Sequence, residues 1–257
     1  MATTKKVTKV NGGEDTPLER TTFVPTAEAK GKATRLRIIA GILWFLAICA
    51  QVGAISLLFK QPISMMWIII LIVVDLVCVI IGSLLWKKSN RFDPASKKNK
   101  FKFFMQSQLG LITAVIAFLP LIVFIFTSKN LDGKQKGILG GIAALALVIA
   151  GIVGTDFNPP SVEEYTEQTS RIEELTGGNS VYWTKSGTKY HIYDNCSHIN
   201  TNRTDEIFNG TVPQARELKN ITELCKTCEN KAEKAIVLTE GSETQLEVPV
   251  PEENENE

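Results

Sequence analysis

Charged side chains are missing from four long stretches of this 257-residue chain. Ile38–Phe59 has 22 residues and no charge; Ile63–Trp86 is interrupted only by Asp75; Leu109–Phe126 and Gly137–Gly154 carry none. A 22-residue helix rises about 33 Å, enough to cross the ~30 Å hydrocarbon layer of a bilayer. Buried helices of soluble proteins rarely run so long without charge. A single soluble core is therefore excluded, and four transmembrane helices are expected. A secretory leader is not expected: 37 mostly polar residues precede the first run, and no small-residue cleavage site follows a short apolar core. The first helix is read as a retained anchor. Internal repeats and matched broken helices, the marks of many transporter folds, do not occur. Neither a serine or cysteine nucleophile signature nor paired carboxylates stand out, so no enzyme is expected.

Acidic residues are scarce in the first part of the chain. Residues 1–154 carry 19 Lys and Arg against 7 Asp and Glu, whereas 155–257 carry 9 against 20, a split that the net charge of +1 conceals. Arg20, Lys30, Lys32, Arg35 and Arg37 precede the first run, and Lys87, Lys88, Arg91, Lys97, Lys98, Lys100 and Lys102 lie between the second and third. The remaining loops hold only Lys60 and Lys129, Lys134, Lys136. Basic loops stay in the cytoplasm, so a multi-pass protein of the cell membrane is expected, with both termini cytoplasmic.

The expected organisation is a disordered basic N-terminus (1–36), a four-helix transmembrane domain (37–155), an acidic linker (156–178), a small folded module (179–237) and a disordered acidic tail (238–257). Within the linker, Ser161 and Glu164 have the spacing of a capping box for a short helix ending near Leu175. In the fourth run Gly137 and Gly141 form a GxxxG pair continued by Ala146, Ala150 and Gly154. Small residues at this spacing let helix backbones approach. Packing within the bundle is the simpler expectation, and self-association through the fourth helix is its rival. Asp75 lies near the middle of the second run, where a carboxylate is costly and usually faces a partner or a water-filled cavity. Gln51, Gln106, Ser107 and Gln108 are the candidate partners. A structural, hydrogen-bonded Asp75 is favoured over a proton or ion relay, because no second charge occurs in any run.

Chemistry concentrates in residues 181–231, which hold both histidines and three of the five cysteines. Cys49 and Cys78 fall inside apolar runs and read as small packing residues. Cys225-x-x-Cys228 has the spacing with which two thiolates from one turn grip a metal ion. With Cys196, and with His191 near the end of an expected strand, it makes a closed Cys₃His set that suits Zn²⁺. His198 is the rival fourth ligand; a single residue separates it from Cys196, which would strain a chelate. A segment of this size rarely folds on its apolar residues alone. In the cytoplasm disulfides are reduced, which leaves a metal as the staple. Tyr182–Thr184 and Lys189–Tyr193 read as a hairpin turning at Ser186-Gly187. Thr211 caps a helix with Pro213 in its first turn, and a last helix extends to Ile236.

The pattern V-Y-W-T-x-S-G-x-x-Y-H from Val181, then C-S-H from Cys196, an A-R-E-L helix and L-C-K-T-C from Leu224, resembles a small module found in bacterial membrane and extracytoplasmic proteins. It is similar to the zinc-binding domain of the methylphosphotriester-repair protein Ada. The resemblance covers about a fifth of the chain and implies zinc held by Cys196, Cys225 and Cys228. His191 stands where Ada has a fourth cysteine, a departure that puts methyl acceptance in doubt.

The fold expected is an all-α four-helix transmembrane bundle with a small α/β zinc-binding module on its C-terminal side. The expected function is presentation of a structural zinc module for protein interaction or sensing. Its partners are the lipid bilayer and a protein. A small transporter or channel using Asp75 is one alternative. A nucleic-acid-binding or thiol-transfer repair module is another, disfavoured because basic and acidic residues nearly balance across 181–231.

Overall fold

The computed structural model describes residues 6–9, 22–219 and 221–243. They form two compact units, one of residues 22–165 and one that joins 6–9 to the described residues from 166 onward.

The first unit is built on four helices, α1 (Ala27–Leu58), α2 (Met65–Phe92), α3 (Lys100–Thr127) and α4 (Gly133–Gly154), each long and apolar enough to cross a membrane. They are apolar on nearly every face. Ala47, Leu58, Ile68, Ile72, Phe118, Leu121 and Leu139 pack inward, while Phe45, Trp67, Val77, Val123 and Leu145 stay exposed. An exposed surface of this composition suits hydrocarbon rather than water. α3 runs on through Pro120 without interruption.

The contacts between α3 and α4 depend on glycine. A Cβ placed on Gly154 would lie 2.6 Å from the carbonyl carbon of Gly110, and one on Gly140 would lie 2.5 Å from the ring of Phe126. The inward stripe of α4 is Leu139, Gly140, Ala143, Ala146, Ala150 and Gly154. Gly137 and Gly141 are exposed with open space around them, so the expectation that this pair packs inside the bundle is corrected. Spacings of three and four along the stripe select Gly140, and a neighbour one residue on is turned by about 100°.

Polar side chains close the helix ends. The Arg37 guanidinium on α1 meets the Asp93 carboxylate at 2.7 Å and donates to the Asp93 carbonyl at 2.9 Å, just past the end of α2. Asn130 donates to the Leu58 carbonyl at 3.0 Å, and Asp132 and Gln135 form a reciprocal cap at the start of α4.

α5 (Val162–Thr176) begins as its capping pattern foretells, with the Glu164 amide donating to the Ser161 hydroxyl at 3.1 Å. Its first turn belongs to the helical unit, where the Tyr165 hydroxyl donates to the Arg91 carbonyl at 3.0 Å. Its later turns belong to the second unit. There Ile172 and Leu175, three apart and hence on one face, enter the core around Val181, Trp183, Tyr190, Ile207 and Ile221. The expected linker is thus partly core.

That core is covered by β2 (Ser180–Thr184), β3 (Lys189–Tyr190), β4 (Glu206–Thr211), α6 (Val212–Lys219), β5 (Glu223–Leu224) and α7 (Lys226–Glu243). Thr211 and Gln214 cap α6 reciprocally, the Thr211 backbone amide donating to the Gln214 side-chain Oε1 at 2.9 Å and the Gln214 backbone amide to the Thr211 hydroxyl at 3.4 Å. Three expectations are corrected. The main partner of β2 is β4, antiparallel from Ser180↔Thr211 to Thr184↔Ile207, while the hairpin reading survives as one bridge, Tyr182↔His191. β1 (Lys6–Lys9) adds a parallel strand on the far side of β4. Regular structure therefore occurs within 1–36, both here and in the first turns of α1. Finally α7 extends to Glu243, beyond the expected start of the tail at 238; residues 244–257 lie outside the described residues.

Candidate metal centre

Four side chains converge in the second unit. One ligand atom from each of His191, Cys196, Cys225 and Cys228 lies within 4.8 Å of every other, and all four residues are buried. Bonds of about 2.3 Å to sulfur and 2.0–2.1 Å to nitrogen, arranged tetrahedrally, place ligand atoms roughly 3.6–3.8 Å apart. The observed 3.7 Å from Cys228 Sγ to His191 Nδ1 falls in that range. Three sulfurs and one imidazole therefore fit a soft, four-coordinate ion.

Local backbone geometry delivers each donor. Paired hydrogen bonds of 2.7 Å between Tyr182 and His191 fix His191 beside β2. Cys196 opens a tight turn whose carbonyl accepts from the Ile199 and Asn200 amides at 3.0 and 2.8 Å. The Cys225 amide donates to the Tyr190 carbonyl at 2.9 Å, tying β5 to β3, and its own carbonyl accepts from Glu229 at 3.0 Å in the first turn of α7. The Cys-x-x-Cys spacing thus wraps a helix N-terminus, where unpaired amides and the helix dipole favour thiolates.

Electrostatics follow the same pattern. Burial would raise the Cys225 thiol, but the amides of Cys228 and Thr227, with the neighbouring thiols of Cys196 and Cys228, hold it below its ordinary value. Burial pushes Cys228 up to about 12 despite the amides of Tyr193 and Ile192. Burial, aided by the charge of nearby His198, lowers His191 to about 4. Its ring is neutral at pH 7, with a lone pair free for a metal.

His198 is not one of the four. It is exposed, its Nε2 lies 3.1 Å from the Thr227 hydroxyl, and its ring centroid is 6.5 Å from that of His191. It does line, with His191, Cys225, Lys189, Lys226 and Thr227, a cleft of about 390 Å³ beside the cluster. Sequence reading missed the backbone amides that receive the thiols, because amide direction depends on turns that no side chain announces.

Asp75 stands apart. It is fully buried, and neither carboxylate oxygen has a hydrogen-bond partner among the described residues. The four partners expected for it bond elsewhere. Gln51 donates to the Ile116 carbonyl, Gln106 to that of Asp93, Ser107 to that of Phe104 and Gln108 to that of Asp156. The Ile116 carbonyl is open to Gln51 because Pro120, four residues on, has no N–H to donate, and the Asp93 and Asp156 carbonyls lie just past the ends of α2 and α4. The expectation of a hydrogen-bonded Asp75 is corrected accordingly.

No protein family, curated protein or solved structure matches this chain.

Proposed function

We propose that this chain is a multi-pass protein of the cell membrane that carries, on the cytoplasmic side, a zinc-stapled module for protein interaction or sensing. The observation that carries this reading is the buried set of one imidazole and three thiols within 4.8 Å. Donors this soft favour zinc over calcium or magnesium, and four of them fill a tetrahedral shell, leaving no open position for catalysis. His191, Cys196, Cys225 and Cys228 would hold the ion, which would supply cross-linking rather than reaction. Staple chemistry also supports the likeness to the Ada zinc domain without its methyl transfer. The basic loop between α2 and α3 supports a cytoplasmic placement of both termini, and self-association would use the outward Gly137 and Gly141 of α4.

Elemental analysis of the full chain purified in detergent tests the metal. One zinc per chain is expected, with a sulfur-to-nitrogen ratio of three to one by X-ray absorption. His191→Ala lowers affinity 10-fold or more, and His198→Ala leaves it unchanged. Full zinc retention by His191→Ala would overturn the ligand assignment.

A second reading, a transporter or channel, is favoured by the unpartnered carboxylate of Asp75. Unpaired buried charge at membrane depth is expensive and tends to be retained for function. Proton or cation flux into proteoliposomes that disappears in Asp75→Asn is its expected result; equal flux in both proteins counts against it.

A further inference from the structure

β4 is paired on one side with β2 along Ile207–Thr211 and on the other with β1 along Glu206–Asn209. The second edge is therefore filled by a segment that reaches it from the start of the chain. That segment is a weak occupant. It is four residues long, and β4 continues two residues past its register. Its one large apolar side chain, Val7, remains 45% exposed. Its register sets Lys6 opposite Glu206, next to Asp205, and the Thr8 hydroxyl donates to the Glu206 carboxylate. Short ladders are marginal in water. Tethering compensates: the 17 residues 10–26 join β1 to α1, and an intramolecular ligand on a short link acts at an effective concentration on the order of mM.

We propose that the outer edge of β4 is a docking site for an extended, basic, hydroxyl-bearing segment of a protein partner, added as a parallel strand, and that Lys6–Lys9 is its resident, displaceable occupant. The proposal rests on reading this unit as an interaction module. Main-chain pairing supplies affinity and alternate side chains supply specificity, as in other strand-addition sites. Chemistry at the edge sets the preference: Glu206 selects a hydroxyl where Thr8 sits, and Asp205 with Glu206 selects flanking Lys or Arg. A partner strand longer than four residues gains ladder that β1 lacks, which is how it overcomes the tether.

The test uses the full chain in detergent and a fluorescent peptide of residues 4–11, TKKVTKVN. Val7→Pro combined with Thr8→Pro removes two successive amide donors, so β1 is lost whichever amide faces β4. This variant is expected to bind the peptide at least 10-fold more tightly than the unaltered chain. A peptide with the same prolines binds neither form, and one with its lysines replaced by Glu loses 10-fold or more. Equal affinity of the two forms, or no binding to a variant that keeps its full metal content, overturns the docking site while leaving the metal module standing. An unaltered chain without metal overturns the module instead. Should the variant lose its metal, hydrogen exchange on the unaltered chain decides: amides of Val7–Lys9 must exchange well before those of Val181–Trp183, and equal protection overturns the proposal. Stable mixed dimers of differently tagged chains would overturn the assignment to a partner in favour of a second copy.

Discussion

Removing the metal from the full chain at neutral pH is expected to unfold the unit around Trp183 and leave the four long helices formed. Each unit has its own core. One is centred on Ile68, Ile72, Phe118 and Leu121, the other on Trp183, Tyr190, Ile207 and Ile221. The cysteines are themselves members of the second core, at 9% exposure or less. Chelation therefore leaves three thiols and an imidazole facing one another with nothing at their centre. Apparent binding energies of structural zinc run to about 10–16 kcal/mol, whereas whole domains are stable by only about 5–15 kcal/mol. Loss of the ion should thus exceed what the apolar core retains. Hydrogen exchange over 180–232 reads the result, together with the rate at which Cys196, Cys225 and Cys228 react with a thiol reagent. Cys228→Ser should behave like the chelated chain at any zinc concentration that sustains the unaltered one. Unchanged protection after chelation would leave the staple without a role. Acid should act in the same direction, because protons compete for all four donors. Any folded unit that survives without the metal is weakened further as pH falls from 6.5 towards about 4, because burial keeps His191 neutral while the unfolded chain takes up the proton.

Gly154→Leu should be the most damaging single change in the helical unit. The Cβ alone would meet the Gly110 backbone at 2.6–2.7 Å, and backbone cannot step aside as a flexible side chain can. Overpacking of a tight core costs about 1–3 kcal/mol where side chains can adjust, so about 3 kcal/mol or more is expected here. Gly137→Leu and Gly141→Leu, at positions with open space, should stay within about 0.5 kcal/mol. Thermal unfolding in detergent separates the three variants. Gly154→Leu with unaltered stability would show that α3 and α4 do not meet where Gly110 and Gly154 lie together.

The contrast between Gly137 and Gly140 also shows what a sequence conceals. Four apolar runs are legible because an uncharged stretch of bilayer length is poorly suited to any surroundings but lipid. Their mutual packing is not, since a helix apolar on every face gives no sign of which stripe turns inward. The four candidate metal donors are legible for a similar reason: soft ligands at knuckle spacing in a segment short of apolar residues have little else to do. Residues such as Ile207 and Phe208 resemble minor core members until β2 is seen to need a partner, and Lys6–Lys9 is too short and too charged to announce a strand. The Asp75 partners fail differently. Gln51 lies in one run and Gln108 just before another, but their amides go to carbonyls whose positions only the fold sets.

Lys6 and Glu206 sit side by side in one sheet, yet the ribosome makes them 200 residues apart. At about 5–20 residues per second, roughly 10–40 s pass between the birth of one strand and that of its neighbour, and all four apolar helices emerge in the interval. The sheet cannot close until translation has passed all four apolar helices, which makes its closure one of the last steps in the folding of this polypeptide.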